Sequence, residues 1–141
     1  MIIAVLGGGN GAFAHAAHLA LKGFRVNMYE VLEFEQNIAG VRERGGIEFR
    51  PERLPDFPSG FAHLGVVSTD LGKVLAEAEV VWLVVPAFAQ KRFAEACAPY
   101  FTPEQIVVLT PGNGGALEFA SVLRDQGVGD LPRLVEAETM L

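Results

Sequence analysis

Five apolar residues, Ile2 to Leu6, run straight into Gly7-Gly8-Gly9-Asn10-Gly11-Ala12, and an Ala- and Leu-rich stretch follows at once. Few junctions constrain a chain this strongly. The apolar run is strand-sized, and the stretch after it predicts a helix over residues 10–22, with Gly23 where a helix C-cap is expected. The turn between them reads Gly-x-Gly-x-x-Ala, and each position has a physical task. Gly7 permits a tight exit from the strand. Gly9 lacks a Cβ, so a ligand can approach the backbone closely, and Ala12 lets the helix lie near the sheet. Unpaired N–H groups and the positive end of the helix dipole then favour an anion such as a pyrophosphate.

The same alternation continues along the chain. Strands are predicted at residues 25–29, 64–68, 80–85, 106–109 and 134–137. Helices are predicted at 31–44, at 87–100, at 116–126, and as a short segment from a Thr69 or Asp70 cap to Glu77. Between 47 and 64 the pattern is broken by Pro51, Pro55 and Pro58, as in a hairpin or loop. The run 80–85 is continuously apolar, which suits a parallel strand covered on both faces. Strand–helix alternation with right-handed crossovers predicts an α/β fold with a doubly wound parallel sheet, the Rossmann dinucleotide-binding fold. Residues 1–141 are expected to form a single domain, with residue 141 at a domain boundary.

Composition narrows the function classes. Half of the 141 residues are hydrophobic and 20% are charged, which excludes intrinsic disorder. The net charge of −6 argues against nucleic-acid or anionic-membrane binding. No run approaches the roughly 20 apolar residues of a membrane span, and no basic region precedes the first apolar run, so a cytoplasmic location is expected. Cys97 is the only cysteine, which excludes a disulfide scaffold. In its Ala-rich helical setting it is expected to be a buried, inert thiol.

The second strand ends in an acid, Glu30, eighteen residues beyond Ala12. A carboxylate there accepts hydrogen bonds from the ribose hydroxyls of an adenosine and repels a 2′-phosphate. Val31 and Leu32 supply no offsetting cation, so NAD is expected over NADP. Ligands sit at the carboxyl ends of parallel strands, which adds the segment Val85-Pro86-Ala87 and a second glycine-rich turn, Thr110-Pro111-Gly112-Asn113-Gly114-Gly115. That turn is a candidate seat for the nicotinamide ribose or an anionic substrate group, or else simply turns the chain. The candidate cofactor-binding residues are thus Gly7, Gly9, Asn10, Gly11, Ala12, Phe13, Glu30, Val85, Pro86, Ala87 and Asn113.

Other chemistry-bearing residues point nowhere specific. His15 and His18 lie one turn apart but have no third ligand at metal spacing, so no metal site is expected and both should be exposed or domain-facing. His63 has no evident acidic or nucleophilic partner, and Glu33 and Glu35 read as a solvated face.

Residues 7–12 followed by Ala16-Ala17-His18-Leu19-Ala20-Leu21-Lys22-Gly23 resemble the opine dehydrogenases of the octopine/nopaline type. The stretch Pro111-Gly112-Asn113-Gly114-Gly115-Ala116-Leu117-Glu118-Phe119 and the ending Glu136-Ala137-Glu138-Thr139 are similar too. The resemblance covers essentially the whole chain. It implies a nicotinamide-dependent oxidoreductase that reductively condenses an amino acid with a 2-oxo acid. It also implies that the catalytic residues and the amino-acid site lie on a second, all-helical domain with no counterpart in these 141 residues, so that this chain alone is inactive. An apolar docking patch near the last strand is then expected, with self-association through it, and Glu138 falls near the nicotinamide. A ketopantoate-reductase-like or glycerol-3-phosphate-dehydrogenase-like cofactor domain and a non-catalytic NAD(H)-sensing module are the alternatives.

Overall fold

The computed structural model describes residues 1–52 and 56–138. Pro55, Thr139 and Leu141, which enter the reading above, lie outside the described residues.

Six strands form one parallel sheet. They are β1 (Ile2–Leu6), β2 (Arg25–Tyr29), β5 (Val67–Ser68), β6 (Val80–Val84), β7 (Ile106–Thr110) and β8 (Arg133–Glu136). Their spatial order is β5-β2-β1-β6-β7-β8. A separate antiparallel hairpin, β3 (Gly46–Phe49) with β4 (Gly60–His63), fills the irregular segment. The helices are α1 (Asn10–Leu21), α2 (Glu35–Arg44), α3 (Leu71–Leu75), α4 (Ala87–Cys97) and α5 (Gly115–Asp125). This is the doubly wound Rossmann arrangement.

Alternation along each strand divides the core in two. Ala4, Leu6, Val81, Leu83, Val107 and Leu109 point to the face covered by α3, α4 and α5, where Val74, Phe93, Phe119 and Leu123 meet them. Ile3, Val5, Val26 and Met28 point to the opposite face, against Ala12, Ala16, Ile38 and Val41 of α1 and α2. Strand order reverses between β1 and β6, and that reversal opens a crevice beyond their carboxyl ends.

Three of the departures from expectation have a reason visible in the backbone and its hydrogen bonds. The predicted helix 31–44 begins as a 3-10 turn, Leu32–Phe34, and becomes α-helical at Glu35, because Phe34 takes a non-helical backbone (φ −118°, ψ 23°). The predicted strand 64–68 contracts to Val67–Ser68. Its early amides are taken otherwise: Gly65 N–H donates to the Val26 carbonyl, and Val66 N–H to the Asn27 side-chain oxygen at 2.9 Å. Asn27 is buried, and its amide also donates to the Val74 carbonyl, so this side chain ties β2 to α3 and to the chain entering β5. The third helix stops at Leu75, two residues short of Glu77, while Asp70 caps it by accepting from the Lys73 amide.

The two faces are not equally covered. On the α1 side, Val5, Trp82, Val108 and Val135 form one row across β1, β6, β7 and β8. Val5 is fully buried beneath α1, yet Ile106 and Val108 are only half-buried and Val135 is 46% exposed. Ile106, Val108 and Val135 belong to neither core cluster. Parallel strands ordinarily have both faces covered, whereas this half-sheet keeps an incompletely covered apolar row. The row lies beside the last strand, where the sequence reading expects an apolar docking patch.

Candidate functional site: the crevice above β1 and β6

The glycine turn sits at the mouth of the crevice. Gly7 has φ +123°, and a Cβ there would run into the Val84 carbonyl of β6. Its glycine is therefore demanded by the fold itself. Gly9 differs. It is the extended N-cap of α1 (φ −90°), and a Cβ on it would meet nothing within 4 Å. The protein leaves that space open. The first turn of α1 holds no acidic residue and has no side-chain cap. The amides of Asn10, Gly11 and Ala12 have no acceptor among the described residues, as expected of the first turn of an uncapped helix.

A cavity of about 480 Å³ adjoins this turn, within the range of small-molecule sites. Gly7, Gly8, Gly9, Glu30, Val31, Phe34, Val84, Val85, Pro86, Phe88, Ala89, Arg92 and Phe93 line it. Glu30 is 6% exposed. One carboxylate oxygen accepts the Val31 amide at 2.8 Å, and the other stands so close to Gly8 that a Cβ there would displace it. The carboxylate is thereby fixed at the far wall, facing the glycine turn. A second cavity of about 370 Å³ continues past Tyr29, Glu33, Thr69 and Ala96 and shares Val31, Arg92 and Phe93 with the first. Open helix amides suit an anionic group, and an oriented carboxylate suits hydroxyl donors, on opposite sides of one cavity.

Of the sequence-predicted residues, Gly7, Gly9, Glu30, Val85 and Pro86 line the main cavity, and Ala87 lies on its rim between Pro86 and Phe88. Asn10 and Gly11 form the open first turn of α1, while Ala12 is buried against the sheet. Phe13 packs on the core beneath α1 and does not line the cavity. Asn113 is exposed, with φ +50°, on the second glycine turn above β7 and also outside the cavity. That second turn is occupied by the protein's own groups. Glu136 accepts from Gly114 and Ala116, at 3.1 and 2.7 Å, and Gly115 N–H donates to the Gly112 carbonyl. An anion arriving there would meet a carboxylate in place of free donors.

Some residues escaped the sequence reading. Phe34, Arg92 and Phe93 enter the cavity through tertiary folding, since their sequence neighbourhoods carry no motif, while Phe88 lines it as part of the segment after β6 expected to face the crevice. The expectation for His15 is corrected: it is 1% exposed, with Nδ1 2.7 Å from the Gly11 carbonyl and its ring edge-on to Trp82. Burial lowers its pKa from 6.5. Trp82 in turn donates its indole N–H to the buried Thr110 hydroxyl at 2.8 Å. Gly11, His15, Trp82 and Thr110 thus link the glycine turn to the carboxyl end of β7. His18 is half-buried, and its ring packs on Phe57. Its Nδ1 has no hydrogen-bond partner among the described residues, and burial lowers its pKa, assisted by Lys22 and His15. Among the described residues, no three His, Cys, Asp or Glu side chains gather as a metal site, and no helix is long and apolar enough to cross a membrane.

Fold and crevice together define a Rossmann-type α/β domain with an open glycine turn over a cavity, and comparison with known proteins adds to this. No family model matches the chain. It is 37% identical over 139 residues to opine dehydrogenase from Arthrobacter sp. (strain 1C), covering 98% of this chain and 37% of that enzyme. The structure of octopine dehydrogenase in complex with NADH and agmatine superposes with a TM-score of 0.75 at 21% identity, over 99% of this chain and 40% of that one. A PanE/ApbA-family ketopantoate reductase from Ralstonia eutropha JMP134 gives 0.63 at 20% identity, over 96% and 40%. The chain therefore has the Rossmann fold of dehydrogenase cofactor domains. Nearly the whole of this chain aligns with that one opine dehydrogenase, and it spans about two-fifths of the length of the relatives it matches.

Proposed function

We propose that this chain is the NAD(H)-holding domain of an opine-dehydrogenase-like oxidoreductase. The observation that carries the reading is the pairing of an open glycine turn at α1 with a buried, oriented Glu30 across one crevice. The α1 amides receive the pyrophosphate, Glu30 accepts from the adenosine ribose, and Val85, Pro86 and Ala87 offer flat backbone to the remainder. The bound nicotinamide supplies a hydride. In the full-length protein that hydride serves the reductive condensation of an amino acid with a 2-oxo acid. Glu30 makes NAD the preferred cofactor, because a 2′-phosphate would be forced against a carboxylate.

Residues 1–141 form the cofactor domain, and the catalytic groups lie in the remaining three-fifths of the relatives' length. That second domain packs on the bare half-sheet of Ile106, Val108 and Val135, so the present chain by itself binds cofactor without turnover and self-associates through that face. The single buried, unpaired Cys97 suits a reducing compartment, and the cytoplasm is the proposed location.

Glu30→Ala tests the reading directly. Loss of a charged hydrogen-bond acceptor should weaken NADH binding by about 1.5–3 kcal/mol, measured by nicotinamide fluorescence titration. Unchanged affinity would remove Glu30 from the site.

A further inference from the structure

Arg92 is the only lysine or arginine lining either cavity among the described residues. It reaches the crevice from α4, 62 positions beyond Glu30 in sequence, and it restores the cation that the segment after β2 lacks. The guanidinium is already engaged, since it donates to the carboxylate of Glu33 in the 3-10 turn. Both side chains are 60% exposed, so the pair contributes little to stability. Its position on the wall shared by the two cavities gives it a different use.

Resting on the dinucleotide reading above, we propose that Glu33 sets cofactor choice by occupying Arg92. A 2′-phosphate on the ribose held at Glu30 would carry nearly two negative charges into a site with two carboxylates and no free cation. With Glu33 neutralised, the planar guanidinium is released and can take a phosphate in bidentate fashion. Discrimination against NADPH is thus shared between a fixed buried acid, Glu30, and an exposed acid that withholds an arginine.

The test is the dissociation constants of NADH and NADPH, measured in parallel by nicotinamide fluorescence on the 141-residue chain. Wild type should favour NADH. Glu33→Gln should strengthen NADPH binding about two- to fivefold, the most that releasing an exposed ion pair allows, while leaving NADH affinity in place. Adding Arg92→Gln should abolish that gain. Circular dichroism melting checks that the exposed substitutions leave the fold intact. An unchanged NADPH-to-NADH ratio in Glu33→Gln, or a gain that survives loss of Arg92, would overturn this proposal alone. A wild-type chain that binds neither reduced dinucleotide would overturn the dinucleotide reading together with it.

Discussion

Glu136 closes the amino end of α5 by accepting the Ala116 amide at 2.7 Å. Its second oxygen takes the Gly114 amide, and the space it occupies depends on Gly112, where any Cβ would strike the Glu136 side chain. The two glycine-led helices of the sheet's carboxyl edge are therefore opposites. The α5 terminus is neutralised from within, and the α1 terminus is left open. Only the latter suits an incoming anion.

Removing the internal cap should cost stability. Glu136→Ala strips two amides of their acceptor and a negative charge from a helix N-terminus, an expected loss of about 1–2 kcal/mol. Urea denaturation measures it. No loss would mean that water replaces the carboxylate at no cost.

Stability should fall in mild acid because of His15. Burial holds its folded pKa below 6.5, so the unfolded chain binds more protons between that lowered value and 6.5. Stability from this residue is therefore present above pH 6.5 and is lost as pH falls through that window. His18 acts in the same direction. His15→Gln keeps a donor for the Gly11 carbonyl and should flatten the decline between neutral pH and pH 5 in denaturation midpoints. An unaltered slope would assign the acid sensitivity to other groups.

The lone thiol should be silent. Cys97 is completely buried, and burial pushes its pKa up to about 12. A disulfide reagent at pH 8 should label the native chain no faster than it unfolds, then titrate one thiol per chain in denaturant. Rapid labelling without denaturant would show an opening that reaches the core under α4.

Legibility followed sequence separation. The β1 strand, the glycine turn and α1 lie within twenty residues, and each announces itself through local pattern, as does the acid closing β2. Asn27 was hidden because a polar residue inside an apolar strand gives no sign of the Val66 and Val74 backbone groups it satisfies. Arg92 and Glu33 are 59 positions apart, and no period or motif connects them. By local pattern His15 is a surface histidine on a helix, and its burial comes with tertiary neighbours such as Trp82 on β6. Local chemistry could be read in advance, whereas partnership across the crevice depended on the fold.

The central claim is that the turn at the head of α1 holds a dinucleotide's pyrophosphate, and Gly9 tests it without disturbing the fold. Gly7→Ala is the contrasting control. Its positive φ and the Val84 carbonyl leave no room, so that variant should lose stability by about 2 kcal/mol or more. Gly9→Ala adds a methyl group to empty space in the free protein, and its melting temperature should match wild type. Titrated with NADH, Gly9→Ala should bind at least about tenfold more weakly, because the added Cβ stands between the pyrophosphate and the α1 amides. A stable Gly9→Ala chain that binds NADH as tightly as wild type would contradict the account.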